Sequence, residues 1–550
     1  MNSHNVQDFR SPPYQRVYLV LAFLLVVGLV TAGDYGISWD EKTEIDMVFR
    51  NVRFVSYGEP ISRDLRHYGT LFNFVSEAVF QIKSIITGND ADWVTISREL
   101  DHPKAREEFL DRIQVKHRLT FLLSLVAYAS VAGIVGTLAG ARFAWLGPLT
   151  LALFPRYWGH SFFNPKDIPF AAMFTLGTFL GALLIGYVLR QNHQRLRVGA
   201  NRLTLAFLGF GVFVGLATGT RIGAFLLIPF VALTHGVTVF AMRRSLKQGL
   251  HFLGYYGLML IAWFVTMAAI HPASWSNPAL WFIQTLRYLS HHAWDGVVLF
   301  AGSYISGRDT PWYYVAQWLG ITTPVVLTVL SVAGFVLALR RYRNFDGTAK
   351  ACLLLVILQM SFLPVIAILS GSAIYDEIRQ FLFVIPAMAS FSAAAVAWIY
   401  QGFPARSFRL PFVGLLIVAA GLIVFDMASL HPYEYVYFNR LFGGLEKARG
   451  AYETDYWGLS MREGMEWINQ NAGGSPSVVS SYPLASSEPF ATPGMAVLSL
   501  KEYDQKGLQR PYYYIAIPRM QFQDRFPECA TVYQVIRQAT PLTIVKRCDP

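Results

Sequence analysis

Residues 17–41 read VYLVLAFLLVVGLVTAGDYGISWDE: an apolar run from Val17 to Ala32, a short polar stretch, then the adjacent carboxylates Asp40 and Glu41. Such a run, preceded by Arg10 and Arg16, reads as a membrane-spanning helix. It reads as retained rather than cleaved, because no small-x-small cleavage site is persuasive before Trp39 and further spans follow. The two acids therefore sit at a membrane surface, where a charge is costly unless it is wetted, paired or used. A second acid, Asp167, recurs at another membrane re-entry, Phe163-Asn164-Pro165-Lys166-Asp167-Ile168-Pro169. If both loops lie on one side, the acids converge.

The rest of the chain bears out the membrane class. Of 550 residues 54% are hydrophobic and 15% charged, against about 25% charged in an average soluble domain; the mean hydropathy is +0.37. The net charge of +11 does not point to nucleic acid, because the basic residues fall in short loops between apolar runs. Arg142; Arg190, Arg195, Arg197 and Arg202; Arg243, Arg244 and Lys247; Arg340, Arg341, Arg343 and Lys350; and Arg406 and Arg409 mark five such loops, whose only acid is Asp346. By the positive-inside rule these are cytoplasmic. Spans are expected near 17–33, 119–139, 144–159, 168–189, 203–219, 222–241, 250–270, 312–339, 351–370, 381–400 and 410–428, about eleven transmembrane helices in a polytopic α-helical membrane protein. An odd number leaves the N-terminus cytoplasmic and the C-terminal segment outside, and both acidic sites land on that outer side.

Two regions carry the extramembrane structure. In the outer loop 34–118, Ile45, Val48, Phe49, Val52 and Val55 recur at helical spacing, which predicts an amphipathic interfacial helix; 97–118 is helix-prone and runs into the second span. Residues 431–550 are soluble in character, with a capping-box pattern at Ser460-x-x-Glu463 and β-rich pieces at 477–481, 512–517 and 543–546, and predict a small α/β outer domain. The division is thus 1–430, transmembrane, and 431–550, extracytoplasmic. Cys529 and Cys548, both in that domain, are a candidate disulfide in a compartment that permits one; Cys352 lies within a span and reads as an apolar filler.

Each candidate residue has a structural reading beside the chemical one. Ser38-x-x-Glu41 matches a capping box, so Glu41 either reaches back to the helix start or takes part in chemistry. Asp40 is not needed for that cap. Asp167 and Lys166 form a plus–minus pair between two prolines, where Asp167 also suits a helix N-terminus. Arg221, in Thr218-Gly219-Thr220-Arg221, either snorkels to lipid phosphates or binds an anion; Asp376-Glu377-Ile378-Arg379-Gln380 reads similarly, with Arg379 the candidate anion ligand. Gly211-x-x-x-Gly215-x-x-x-Gly219 is a helix-packing face. There is no Walker motif, no GxGxxG after a strand, no zinc-type Cys/His spacing and no Gly-x-Ser-x-Gly. An outward acid backed by cations suits a carboxylate that takes a proton from an attacking hydroxyl while cations stabilise a departing lipid phosphate.

An Asp-Glu pair just past the first span, a second acid at a later outer loop, and Arg379-Gln-Phe-Leu-Phe-Val-Ile-Pro386 together resemble the GT-C glycosyltransferases, over about residues 15–400. Closest in pattern are the protein O-mannosyltransferases and the lipid A aminoarabinose transferases (glycosyltransferase families 39 and 83). The resemblance implies a GT-C fold, a polyprenyl-phosphate sugar donor, a lipid, glycan or protein acceptor, inversion at the anomeric carbon, and a bacterial inner-membrane enzyme working on its outer face among membrane lipids. It carries a catalytic aspartate onto Asp40 and the second-loop acid onto Asp167, although Asn164-Pro165-Lys166-Asp167 departs from the commonest wording. The candidate catalytic residues are thus Asp40, Asp167 and Glu41, and the phosphate-binding candidates Lys166, Arg221 and Arg379. No organic cofactor is implied; a divalent cation would need Asp40 and Asp167 to approach each other, a thin ligand set. The alternatives are an oligosaccharide-block transferase or ligase and a lipid-linked sugar flippase. A flippase would usually carry ionisable groups at the membrane midplane, and here the spans are nearly free of acids.

Overall fold

The computed structural model describes residues 12–62, 65–88, 103–190, 201–242, 252–290, 294, 296–474, 477–480 and 483–550. Arg195, Arg197, Arg243, Arg244 and Lys247 of the basic loops lie outside them. Among the described residues nine helices are long and apolar enough to cross a membrane: Tyr14–Thr31, Ala105–Ala139, Asp167–Arg190, Ile222–Ala241, Leu253–Ile270, Val325–Asn344, Gly347–Leu369, Val384–Gly402 and Arg406–Leu430. Arg202–Thr218 is equally apolar but shorter, at 17 residues.

Two expected spans are broken, and proline breaks both. Segment 144–159 is not one helix but two, Leu146–Ala152 and Pro155–Phe163. The residue before a proline is pushed out of the helical region, and Phe154 accordingly has extended dihedrals. Pro324 likewise divides 312–339 into Tyr314–Thr322 and Val325–Arg341, with Thr323 extended. The helix Pro155–Phe163 is buried along its whole length, so it is an internal element rather than a lipid-facing span.

The bundle is organised by side-chain size. The helix Val384–Gly402 buries a run of small residues, including Ala387, Ala389, Ser390, Ala393, Ala394 and Ala397, and sits at the centre with Ala105–Ala139 and Asp167–Arg190. Small residues let backbones approach, which drives helix association where lipid is as apolar as leucine. Opposite it, a Cβ on Gly334 would overlap the Phe391 carbonyl. The glycine face expected on Arg202–Thr218 packs as such: Gly211 meets Met259, and Gly215 meets Thr266 and Trp263, on helix Leu253–Ile270. The rim helices expose their apolar side chains, such as Leu19, Phe23 and Val30 on the first and Leu415, Ile417 and Phe425 on the last.

The first large loop holds two helices. Trp39–Tyr57 begins at the expected capping box, and its Ile45 and Phe49 pack on Phe109 and Ile113 of the helix Pro103–Ala139. Its stripe is therefore largely a protein contact. The apolar face left open belongs to Leu71–Thr87, whose Val75, Val79, Ile82, Ile85 and Ile86 are exposed, the pattern of a helix lying in a membrane interface. A short hairpin, β1 (Val297–Phe300) and β2 (Ser303–Ser306), follows later in the chain.

After the last span the chain packs back on Pro155–Phe163, where a Cβ on Gly159 would press on the Tyr435 backbone. It then forms a sheet of β3 (Ser477–Ser480), β4 (Ala496–Ser499), β5 (Tyr512–Ala516), β6 (Ala530–Arg537) and β7 (Thr540–Cys548) in the order β4-β3-β5-β7-β6, the first three parallel and the last two antiparallel. Helix Met461–Asn471 covers it through Met461, Met465 and Ile468, packed with Val478, Ile515 and Val545. Cys529 and Cys548 are disulfide-bonded, and Cys352 is buried. The capping box expected at Ser460 does not form. The Ser460 hydroxyl is taken by Asp455 and Thr543, and Glu463 turns to Tyr433, Tyr533 and Arg537.

Candidate active site

Four stretches distant in sequence meet at one end of the bundle. The first turn of Trp39–Tyr57 supplies Asp40, and the start of Asp167–Arg190 supplies Asp167 with Lys166 before it. Arg221 follows the end of Arg202–Thr218, and the turn at 376–379 supplies Asp376, Glu377 and Arg379.

Local chemistry explains how each is aimed. The Glu41 carboxylate accepts from the Ser38 backbone N–H at 2.8 Å and the Ser38 hydroxyl at 3.2 Å, and its other oxygen lies 2.9 Å from His117 Nε2. It is fully buried and fixes the start of the helix. That frees Asp40, one residue earlier, to face the cluster. Asn164 plays the same part for the second acid: its Oδ1 accepts from the Asp167 and Lys166 N–H groups at 2.9 and 3.3 Å, and its Nδ2 donates to Asp167 Oδ2 at 3.0 Å. Such side-chain-to-backbone bonds set a turn that the surrounding bundle holds.

Arg379 is the hub. One guanidinium nitrogen donates to Asp40 Oδ2 at 3.2 Å and lies 3.8 Å from Asp167 Oδ2; the other pairs with Asp376 at 3.0 Å. Its plane is flanked by Trp457 at 4.9 Å and Tyr375 at 5.1 Å. Lys166 Nζ lies 3.9 Å from Asp40 and 2.7 Å from Glu44, over the Tyr68 ring at 4.8 Å, and Arg221 pairs with Asp167. The five sequence candidates Asp40, Lys166, Asp167, Arg221 and Arg379 therefore form one connected charge cluster, while Glu41 faces the other way.

Exposure divides this cluster. The side chains of Asp40, Lys166 and Arg221 keep 24, 16 and 28% of their surface, whereas Asp167 and Arg379 keep 3 and 6%. The first three open to the surroundings, and the last two are sealed. Burial pushes the Asp40 carboxyl up, but Lys166 and Arg379, helped by Trp39 and Arg221, outweigh it and hold it below its usual range. Lys166 is held above its usual range against burial by Glu44 and Asp40. At neutral pH the site holds an ionised acid among protonated cations.

Further members of the cluster belong to no motif in the sequence. Glu44 lies one helical turn beyond Asp40, a spacing that places it on the same face. Asp376 and Glu377 were visible as acids beside Arg379. Both adopt left-handed dihedrals, φ 53° and 64°, uncommon for non-glycine residues and typical of a functional turn held by its surroundings. Glu377 pairs with the buried Arg156, which donates to the Tyr437 carbonyl at 3.1 Å. Arg519 and Trp457 come from the C-terminal domain. Among the described residues no group of three or more His, Cys, Asp or Glu side chains is arranged to hold a metal ion, and Arg379 lies between Asp40 and Asp167.

No protein-family model matches the chain, and no curated protein matches it in sequence. Solved structures do. The oligosaccharyltransferase AglB from Archaeoglobus fulgidus, in complex with an inhibitory peptide and a dolichol-phosphate, is similar at TM-score 0.50 and 12% identity over 94% of this chain and 71% of that one. The oligosaccharyltransferase of the same organism in the apo form gives 0.50 and 11% over 90% and 65%, so this chain spans a little under two thirds of it. ArnT from Cupriavidus metallidurans bound to undecaprenyl phosphate gives 0.47 and 16% over 96% and 97%. For the two oligosaccharyltransferase structures, at TM-score 0.50 and these identities, the likeness is one of fold: the chain has the GT-C architecture that its sequence resembles.

Proposed function

We propose that this chain is an integral-membrane glycosyltransferase that moves a sugar from a polyprenyl-phosphate donor to an acceptor hydroxyl, with inversion, on the outer side of a bacterial inner membrane. The N-terminus is then cytoplasmic and the C-terminal domain periplasmic. The observation that carries this reading is the partly open Asp40 carboxylate, within 4 Å of both Lys166 and Arg379 at the membrane-proximal end of a GT-C fold.

The chemistry follows from that pairing. The donor phosphate enters beside Lys166 and Arg221 and shares their charge, as charge-assisted contacts to phosphate oxygens allow. The acceptor oxygen attacks the anomeric carbon from the opposite face. Its proton passes to an Asp40 oxygen, and the bond from the anomeric carbon to the phosphate oxygen breaks with its electron pair on the phosphate. The cations stabilise the charge that grows there. An acid held below its usual range is a weak base when the site is empty. A phosphate that draws Lys166 and Arg379 toward itself removes part of that hold, so the donor raises the basicity of Asp40 when it is needed. Asp167, sealed and tied to Arg221 and Asn164, orients the cations.

A carrier is disfavoured by the position of Asp426. It pairs with Arg440 at 2.7 Å near the end of the last span, rather than standing at mid-membrane. The test is reconstitution in lipid with a panel of polyprenyl-phosphate sugars, measuring release of polyprenyl phosphate. Release above the Asp40→Asn background for at least one donor supports the reading, and none for any donor overturns it.

A further inference from the structure

The C-terminal domain reaches the charge cluster through the Trp457 ring, which flanks Arg379, and through one charged side chain. Arg519 opens the turn after β5 and is 3% exposed, unusual for an arginine. One guanidinium nitrogen donates to Asp376 Oδ1 at 2.7 Å and another to the Tyr456 carbonyl at 2.9 Å, and its plane lies 5.5 Å from the ring of Trp39, the residue before Asp40. The second oxygen of Asp376 is held by Arg379 at 3.0 Å, and Arg379 faces Asp40 at 3.2 Å. Charges thus alternate in a line from the soluble domain to the acid: Arg519, Asp376, Arg379, Asp40.

The Arg519–Asp376 pair has strained backbone at or beside each partner. Asp376 and Glu377 are left-handed, and so are Met520 and Gln521 immediately after Arg519, at φ 51° and 58°. Four non-glycine residues in that region at one contact mark a geometry imposed by its surroundings. Attaching the domain does not require it. Other contacts do that nearer the surface: Arg462 donates to the Gly33 carbonyl at 2.7 Å, Lys42 pairs with Glu488 at 3.2 Å, and Gln538 donates to the Ser429 hydroxyl at 2.8 Å.

We infer that Arg519 is a positioning residue for the site: by engaging Asp376 it leaves Arg379 free to face Asp40, so that the C-terminal domain is part of the catalytic apparatus. This rests on the reading that Asp40 is where the reaction occurs. The logic is competition for one cation. Asp376 is shared between two arginines. Without Arg519 it has Arg379 alone and draws it from Asp40, while Lys166, Glu44, Asp167 and Arg221, the other charges around the acid, stay as they are.

The experiment compares Arg519→Gln, the double variant Arg519→Gln/Asp376→Asn and the surface control Arg462→Ala in lipid. Two readouts are used: turnover, and titration of the Asp40 carboxyl by infrared difference spectroscopy, assigned by its loss in Asp40→Asn. Arg519→Gln is expected to lower kcat by up to about 10²-fold, the scale of a misplaced catalytic contact, and to move the Asp40 titration to higher pH. Removing the Asp376 charge as well returns Arg379 to Asp40, so the double variant recovers turnover and moves the titration back down. Arg462→Ala lowers the unfolding temperature and leaves the titration in place. A parental Asp40 titration in Arg519→Gln, or a double variant no better than the single one, overturns the inference. If the titration shifts and reverts as stated but no variant, including the parent, transfers a sugar, the relay stands and the glycosyltransferase reading fails.

Discussion

Replacing Asp40 with Asn separates base chemistry from everything else the residue does. Asn has the same shape and still offers a carbonyl oxygen to Arg379, but it cannot accept a proton. The fold should tolerate it. Arg379 keeps Asp376 at 3.0 Å and Asp167 at 3.8 Å, and Lys166 keeps Glu44 at 2.7 Å, so no buried cation is stranded at the usual cost of about 3–5 kcal/mol. A positioned general base contributes about 10²–10⁴ in rate, which at 1.36 kcal/mol per decade is about 2.7–5.4 kcal/mol of transition-state stabilisation. The loss falls on kcat. Donor binding is kept or tightened, because the variant removes an anion that competes with the phosphate for Lys166 and Arg379. Single-turnover kinetics on purified protein in lipid, with donor affinity measured separately, resolves the two. In the parent enzyme kcat/KM falls as pH drops and Asp40 takes up its proton. That limb should lie below the ordinary carboxylate value of about 3.9, because the neighbouring cations outweigh burial. Near-parental kcat in Asp40→Asn, or a loss confined to donor KM, refutes the assignment of the base.

Glu41→Gln is expected to act on stability more than on turnover. The amide can still accept from Ser38 but loses the charge opposite His117, a cost of about 1–3 kcal/mol for a buried partner, read as a lower unfolding midpoint beside a kcat well above that of Asp40→Asn. Glu377→Gln strands the buried Arg156 and should destabilise by about 3–5 kcal/mol, seen as loss of monodisperse protein on size exclusion, with Glu377→Gln/Arg156→Met recovering it. His431 contacts Glu434 at 2.7 Å and Asp34 at 3.1 Å; burial lowers its pKa, but these two carboxylates outweigh it and leave it raised. Its contribution to stability is therefore fully present below the ordinary histidine pKa of about 6.5 and is lost as pH rises through the raised value. Thermal midpoints measured across that window should fall with pH in the parent more than in His431→Gln, and parallel curves would refute this.

What the sequence disclosed and what it concealed divide along contact range. Lipid imposes a rule on every span, so the apolar runs, and the emergence of Asp40 and Asp167 at one end of the bundle, are legible without a partner in view. The cap at Ser38 is legible because both members lie within one turn, and the tertiary partner His117 takes the other oxygen of Glu41 and leaves the cap in place. The cap at Ser460 has the same spelling and fails, because Asp455 and Thr543 take its hydroxyl first; a local pattern holds only until a tertiary partner outbids it. The breaks lie at Pro155 and Pro324, where a proline outweighs the length of the apolar runs around it.

The hub itself is another matter. Arg379 was a candidate by its own chemistry, but its geometry depends on pairs such as Arg519 with Asp376, separated by 143 positions, and no periodicity or motif spans that distance. The same holds for Lys166 and Glu44. One residue of each pair looks solvent-compatible alone, and only the fold turns it into part of a buried set. That asymmetry has a functional sense. The acids and cations most exposed, Asp40, Lys166 and Arg221, are singled out by their positions beside membrane boundaries, as is the sealed Asp167. The other sealed ones, Arg379 and Asp376, bear on Asp40 through their ion pairs, and these are the contacts assembled from far along the chain. A perturbation in the C-terminal domain should therefore reach the acid through charge, while leaving the lipid-facing architecture as it was.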